Sequence, residues 1–490
     1  MSRLKDSHLR GGAWAAASAA ALAVLTFANF LVLSRLLSPE IYGLVAMATA
    51  ALALGRTLLP IHAAEALVQL RRLKTAHVDS LFWTLQALGL AGTGAVILLS
   101  PLAGRFFPDE GVGVLVAAGA VTLYLHATAA IPRSLLTRRL RFGQIAKADL
   151  SAEAAGGAVG IALAWAGFGA WSLIALQIAV RVVELAVLWR MSAWRPHWRW
   201  SAFHVRELLS FGVNRTAVGW VRFLDEQLPR FLLGRVHGAA ELGGFFFARR
   251  LVDACETLLV SPIQAVGMPA FARLQDNAAA VRHAYESGSR LTASLVFPAF
   301  AGVALLAPVF VPLLFGERWT GAVFLVQLLA LRGYRRAFST WNSAVLRGLG
   351  KPQWLLISVG FQTLAAAALM ILLLGKGAEG AAWALLVASY LSWPLGAWLV
   401  ARLTGLAPHA QARLGVPAVA ATAAMAAAVI GARQWHVLAE TSWASLAVLA
   451  IIALSAYTGS LAVFGREDLR RVLAFLTRLC RLQNSQRSAS

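Results

Sequence analysis

The sequence predicts an all-α polytopic membrane protein with about 14 transmembrane helices, arranged as two parallel six-helix bundles plus two extra C-terminal helices. Three observations predict it. Apolar stretches of 18 residues or more recur along nearly the whole of the 490-residue chain, and each, as a helix, is long enough to cross about 30 Å of hydrocarbon. Basic residues are abundant in every second connection and scarce in the others. Connections in the second half of the chain repeat those of the first half at an offset of roughly 200 to 210 residues, as internal duplication produces.

The apolar content excludes a soluble globular chain. Hydrophobic residues make up 59% and charged residues 13%, against about a quarter charged in ordinary soluble domains. No connection exceeds roughly two dozen residues, too short for a domain of its own. At the N-terminus Arg3, Lys5 and Arg10 precede a long apolar run from Ala13 to Leu33 that leads directly into Ser34-Arg35-Leu36-Leu37-Ser38-Pro39. That run is too long for the core of a signal peptide and reads as a first, uncleaved span. Cys255 and Cys480 have no paired spacing, and the ten histidines show none that suits a metal, so neither a disulfide framework nor a metal site is expected.

Spans are expected near residues 13–34, 41–63, 78–100, 111–132, 148–167, 169–189, 209–230, 244–266, 291–313, 320–346, 353–374, 378–401, 414–432 and 441–464. Gly and Pro punctuate their ends, as at Ser38-Pro39, Ser100-Pro101, Phe107-Pro108 and Gly350-Lys351-Pro352. Fourteen spans place both termini and the even-numbered connections on one side, which then holds 28 Lys+Arg outside the spans, while the other side holds only Arg35, Arg105, Arg235, Arg318, Lys376 and Arg433. The positive-inside rule makes the basic side, and both termini, cytoplasmic. The formal charge of +22 therefore reflects topology rather than nucleic-acid binding.

The repetition sets the domains. Ser38-Pro39-Glu40-Ile41-Tyr42-Gly43 after the first span has its counterpart in Gly238-Ala239-Ala240-Glu241-Leu242-Gly243 after the seventh; Ser100-Pro101-Leu102-Ala103-Gly104-Arg105 pairs with Leu313-Leu314-Phe315-Gly316-Glu317-Arg318. Six spans separate the members of each pair, and six is even, so the halves insert in the same orientation about an axis along the membrane normal. The expected division is 1–206 and 207–410 for the two bundles, 411–464 for spans 13 and 14, and 465–490 for a basic tail.

Ten arginines fall at membrane depth: Arg56, Arg181, Arg215, Arg222, Arg230, Arg249, Arg250, Arg332, Arg335 and Arg336. Each costs about 2.5 to 3.5 kcal/mol at a helix centre when unpaired. Local spacing offers acids to some: Glu184 lies three after Arg181, Asp225 and Glu226 three and four after Arg222, and Asp253 within one turn of Arg249 and Arg250. Arg332, Arg335 and Arg336 share one side of their span without an acid in it, and Arg56 has none nearby. The excess of arginine over Glu153, Glu184, Asp225, Glu226, Asp253 and Glu256 points to a cationic cavity suited to an anion such as a diphosphate, which the guanidinium fork binds through two bonds at once. Arg332, Arg335, Arg336, Arg56, Arg222, Arg249 and Arg250 are the candidate contacts. Glu153, Asp225, Glu226 and Asp253 are candidates for carrying a coupling proton or sodium ion.

Two surface features are expected at the interface. Trp194-Arg195-Pro196-His197-Trp198-Arg199-Trp200 mixes aromatic and basic residues as an anchor to anionic headgroups does. The stretch from Arg466 to Arg481 carries basic residues among Leu, Val and Phe, the pattern of an amphipathic surface helix.

The phrase Arg35-Leu36-Leu37-Ser38-Pro39-Glu40-Ile41-Tyr42-Gly43-Leu44-Val45-Ala46, preceded by Gly12-Ala13-Trp14, resembles the first-loop signature of the Wzx-type polysaccharide flippases of the multidrug/oligosaccharidyl-lipid/polysaccharide exporter superfamily. Ala66-Leu67-Val68-Gln69, Leu232-Leu233-Gly234, Glu241-Leu242-Gly243 and Leu314-Phe315-Gly316-Glu317-Arg318-Trp319 follow in that family's order. The resemblance covers roughly residues 5 to 400. It implies alternating access, no enzymatic activity, no bound cofactor, and movement of an undecaprenyl-diphosphate-linked glycan from the cytoplasmic to the periplasmic leaflet of a bacterial inner membrane. It also implies a polysaccharide polymerase or export machinery as candidate partner. In one departure, Leu59-Pro60-Ile61-His62-Ala63-Ala64 replaces the family's Gly-rich end of span 2, with proline supplying the helix break. Lipid II flippases and multidrug exporters share the superfamily; a cationic drug would call for an acidic cavity. A membrane glycosyltransferase would need a catalytic loop longer than any connection here.

Overall fold

A computed structural model describes residues 2–434 and 441–487; side chains at 2–17, 209–219, 221–222, 261–266, 268–269, 476 and 478–487 lie outside the description. All regular structure in the described residues is helical. The helices are α1 (Ser2–Leu36), α2 (Pro39–Leu58), α3 (Thr75–Phe106), α4 (Gly111–Gly119), α5 (Val121–Arg138), α6 (Phe142–Trp165), α7 (Ala170–Met191), α8 (Ala202–Leu274), α9 (Ala278–Phe315), α10 (Val323–Gly348), α11 (Pro352–Leu372), α12 (Gly377–Leu391), α13 (Trp393–Thr404), α14 (Val416–Arg433), α15 (Trp443–Phe464) and α16 (Arg466–Arg487), joined by short turns. Hydrocarbon offers no hydrogen-bond partner to the backbone, so a chain this apolar must satisfy its peptide groups within helices.

Ten stretches among the described residues are long and apolar enough to span a membrane. The expected fourteen included four more, and these are α6, the two halves of α8, and α10. All four are helical. They carry Asp149 and Glu153, the charges from Arg215 to Glu256, and Arg332, Arg335 and Arg336, so charge takes them out of the strongly apolar set. α8 is two helices in series, broken at Gly238, whose φ of 81° and ψ of −169° are not helical. The expected stop at Ser100-Pro101 is corrected: α3 continues through Pro101 to Phe106. A proline costs one backbone bond, which the rest of a 32-residue helix outweighs. The expected break after α2 does occur, with Leu59 extended ahead of Pro60.

The chain divides into two compact units, Met1–Phe247 and Ala248–Ser490; the boundary expected at 206/207 falls in the opening turns of α8. In the first unit, α6 and α7 pack backbone to backbone. A Cβ on Gly156 would meet the Val180 side chain at 2.3 Å, and one on Gly160 the Leu176 side chain at 2.8 Å. Four residues apart, these glycines share one face, the small-xxx-small arrangement by which membrane helices approach closely. Gly157 abuts Asn29 of α1. The aromatic-basic segment forms a strap over the start of α3: Trp194 Nε1 donates to Oδ1 of the fully buried Asp79 at 3.1 Å, and Trp83 Nε1 to the His197 carbonyl at 2.9 Å. Trp83 also stacks on Trp198, with ring centroids 4.0 Å apart.

In the second unit α9 carries α10 on one side and the C-terminal helices on another. Gly288 accommodates Trp341, whose Nε1 donates to Thr292 at 2.7 Å, and Gly333 accommodates Phe300. Tyr457 of α15 donates to the Ser294 carbonyl at 2.7 Å. α16 is the expected tail helix. It starts with a buried Asp468 held by Arg471 at 3.1 Å, with Arg290 of α9 at 3.9 Å. Burial outweighs the two arginines and raises the Asp468 carboxyl above its ordinary value.

Candidate functional site

The first unit collects a charged cluster from three helices. Arg133 of α5 donates to Glu184 Oε1 of α7 at 2.9 Å and grips Asp149 of α6 through both guanidinium ends. Glu184, 3% exposed, also pairs with Arg181 three residues earlier, as the spacing predicted. Two arginines thus close on two acids. Such a network is expensive to bury and expensive to break, because removing one member leaves an uncompensated charge.

Two further groups adjoin this network and are not consumed by it. Arg56 of α2 has Arg181 and Glu226 as charged neighbours, and its guanidinium forms no ion pair or hydrogen bond among the described residues. His126 of α5 stands among Arg181, Glu184, Arg56 and Arg133, and its buried Nδ1 has no hydrogen-bond partner among the described residues. Beside the cluster, Glu153 of α6 accepts from Asn29 Nδ2 of α1 at 3.2 Å, and the Glu153 carbonyl accepts from the same nitrogen at 3.1 Å. Asp225 is half-buried and Glu226 exposed. The side chain of Arg222 lies outside the described residues. Sequence reasoning missed His126, Arg133 and Asp149: span 4 was expected to stop at residue 132, whereas α5 runs to Arg138 and keeps Arg133 in the helix.

In the second unit the three arginines of α10 diverge. Arg335, 7% exposed, donates from Nε to the Ser389 carbonyl at 2.8 Å and from Nη2 to Ser392 Oγ at 3.0 Å. It therefore fills the break between α12 and α13 and does not face a cavity with its neighbours. Arg336 pairs with Glu256 of α8, Nε to Oε2 at 3.0 Å, a partner on another helix that local spacing does not reveal. Arg332 is half-buried and forms no ion pair or hydrogen bond among the described residues, with Arg335 as its like-charged neighbour. Arg249 pairs loosely with Asp253 at 3.8 Å, and Arg250 is exposed. Among the described side chains, Arg56 and Arg332 are thus the sequence-predicted arginines whose guanidinium groups make no ion pair or hydrogen bond.

Residues 32–324 match the family described as polysaccharide biosynthesis protein. The lipopolysaccharide biosynthesis protein WzxC of Escherichia coli K12 is 26% identical over 340 residues, 68% of each chain. The succinoglycan biosynthesis transport protein ExoT of Rhizobium meliloti is 27% identical over 70% of this chain and 69% of its own. The teichuronic acid biosynthesis protein TuaB of Bacillus subtilis is 22% identical over 82% of this chain and 84% of its own. Among solved structures, the lipid II flippase MurJ in an inward closed conformation superposes with a TM-score of 0.75 at 12% identity, covering 92% of this chain and 99% of that one. An inward-facing multidrug transporter of the MATE family gives 0.60 at 16% identity, covering 78% and 95%. At these identities the two structures speak to the fold alone, and they place this chain in the fold of multi-pass membrane transporters.

Proposed function

The chain belongs to the polysaccharide biosynthesis protein family, and from that premise we propose that it is a flippase for an undecaprenyl-diphosphate-linked oligosaccharide. The cargo passes from the cytoplasmic to the periplasmic leaflet of a bacterial inner membrane by alternating access of the two six-helix bundles, 1–206 and 207–410, with both termini cytoplasmic. The family match over residues 32–324 carries the reading, supported by relatives named for lipopolysaccharide biosynthesis and succinoglycan transport. The protein works as a transporter and not as an enzyme, and passes its cargo to a polysaccharide polymerase or export machinery.

The chemistry of the arginines fits this cargo. A diphosphate brings two or more negative charges to membrane depth, and a guanidinium with free donors binds it through paired hydrogen bonds. Arg56 of the first unit and Arg332 of the second are the leading contacts, with Arg222, Arg249, Arg250 and Arg336 as further candidates. Arg335 holds the bundle together behind Arg332. A proton or sodium ion couples transport through Glu153, where Asn29 keeps the carboxyl in place, or through Asp225, Glu226 and Asp253.

The test is flipping of a fluorescent undecaprenyl-diphosphate glycan by purified protein in liposomes, with Arg56→Ala and Arg332→Ala as variants. Translocation by the wild type and loss in both folded variants is the expected result; equal transport by all three removes the arginines from the cargo path.

A further inference from the structure

The strap over the start of α3 has no helix of its own between Ser192 and Ser201, yet it is held throughout, because α3 supplies partners for its polar groups. Besides the bonds from Trp194 to Asp79 and from Trp83 to the His197 carbonyl, Ser201 N donates to Ser80 Oγ at 3.0 Å and Trp200 Nε1 to Thr84 Oγ1 at 3.1 Å. Arg195 serves the loop itself. Its Nη1 donates to the Ser192 and Trp194 carbonyls at 2.8 and 2.9 Å, just past the end of α7, where a basic side chain satisfies backbone oxygens that have no helical partner. The first turn of α8 is fastened beside the strap, with Glu207 Oε2 3.3 Å from Nε2 of the buried His77.

With its polar groups turned onto α3, the strap presents rings outward. Trp198 is 88% exposed, Phe203 76% and Trp200 63%, and Trp198 is fixed by its stack on Trp83. Large rings grouped on a surface mark a place that meets something other than water. Depth narrows what that is. The 32 residues of α3 make a helix about 48 Å long, against about 30 Å of hydrocarbon, so its first turns stand in the headgroup layer. The strap is bonded to residues 79–84, alongside those turns. Tryptophan settles at this depth because its ring is apolar and its N–H is not. Charge then selects the headgroup. Arg71, Arg72 and Lys74 ahead of α3, and Arg195, Arg199 and Arg206 along the strap and the first turn of α8, are all exposed, with Glu207 the one exposed acid in these two stretches. The other carboxylate, Asp79, is fully buried.

We infer that residues 194–206 form a preformed binding surface for the anionic glycerophospholipid headgroups of the leaflet on the basic side. Trp198, Trp200 and Phe203 sit at the boundary between headgroups and acyl chains, and Arg199 and Arg206 meet the phosphates. A loop already ordered by α3 loses little freedom on binding, so its contacts are not spent on ordering it. Because the strap joins α7 to α8, the bound lipid holds the connection between the sixth and seventh spans at a fixed depth.

The experiment puts an NBD fluorophore on Ala202→Cys, an exposed position beside Phe203, in the full-length Cys255→Ser/Cys480→Ser protein in phosphatidylcholine nanodiscs. A minor fraction of the lipid carries a nitroxide near the glycerol end of one acyl chain, either as phosphatidylglycerol or as phosphatidylcholine. Both should quench, phosphatidylglycerol the more strongly. Its local enrichment over phosphatidylcholine should fall about fivefold in each of Arg199→Ala and Arg206→Ala, the effect of one basic side chain at an anionic surface. Neither substitution removes a bond that holds the strap among the described residues, and the comparison of the two lipids on otherwise native side chains needs no arginine variant. Quenching by neither lipid places the strap in water and overturns the lipid surface in favour of a soluble partner. Equal quenching by both, or an enrichment that neither arginine variant moves, overturns the headgroup assignment. No cargo enters the measurement, so its result stands apart from that of the flipping assay.

Discussion

Arg335 of α10 donates from Nε to the main-chain carbonyl of Ser389, 2.8 Å away, where α12 gives way to α13. A cation that reads from sequence as an unpaired charge is thereby part of the frame. Its second bond, to Ser392 Oγ, fixes the turn that precedes Trp393-Pro394.

Arg335→Ala is expected to lower stability by about 2 kcal/mol, the cost of losing hydrogen bonds at a buried polar site. An unfolding midpoint in detergent reads this directly. Flipping per folded molecule should stay close to wild type, whereas a stable Arg335→Ala protein that no longer flips would make this arginine a cargo contact after all.

Arg133→Ala should be more damaging, because it leaves both Asp149 and Glu184 short of a partner. Breaking a largely buried pair of this kind costs about 3 kcal/mol. The double variant Arg133→Ala/Asp149→Ala should recover much of the loss, and a double-mutant cycle measures the coupling. No recovery would mean that Arg133 acts through something other than its acids.

Glu153→Gln keeps an acceptor for Asn29 and removes the titratable charge. Fold and expression should be preserved, while the dependence of flipping on an imposed proton or sodium gradient is lost. Retained gradient dependence would move the coupling role to Asp225, Glu226 or Asp253.

Asp468 provides a pH test outside the spans. Burial raises its folded pKa above the unfolded value, so the folded form holds its proton more tightly. Its contribution is therefore most favourable below the unfolded value and declines as pH rises from there through the raised folded value. Docking of α16 onto α9, followed by hydrogen exchange of residues 466–477, should loosen across that window. Asp468→Asn should abolish the trend; an unchanged trend would assign it to another group.

Much of this was legible in the sequence because its causes are local. Apolar windows and turn residues located the helices, α6, α8 and α10 among them although their charges keep them out of the strongly apolar set, and the alternation of basic connections agreed with the count. Arg181 with Glu184 followed from a spacing of three. What escaped depends on distant chain: Ser389 satisfies Arg335, Glu256 pairs with Arg336, and Asp149 meets Arg133 because α5 runs a turn and a half further than its apolar run suggested. The orphan Nδ1 of His126 is likewise visible only once α5 and α7 are packed.

The most direct test of the central claim is reconstitution of the purified chain into liposomes carrying a fluorescent undecaprenyl-diphosphate glycan in both leaflets, with an impermeant quencher or glycan-modifying enzyme outside. Wild-type protein should expose the inner-leaflet pool well above the rate in protein-free liposomes, and Arg56→Ala should return it to that background. An inner pool that stays protected with folded wild-type protein present would contradict the account.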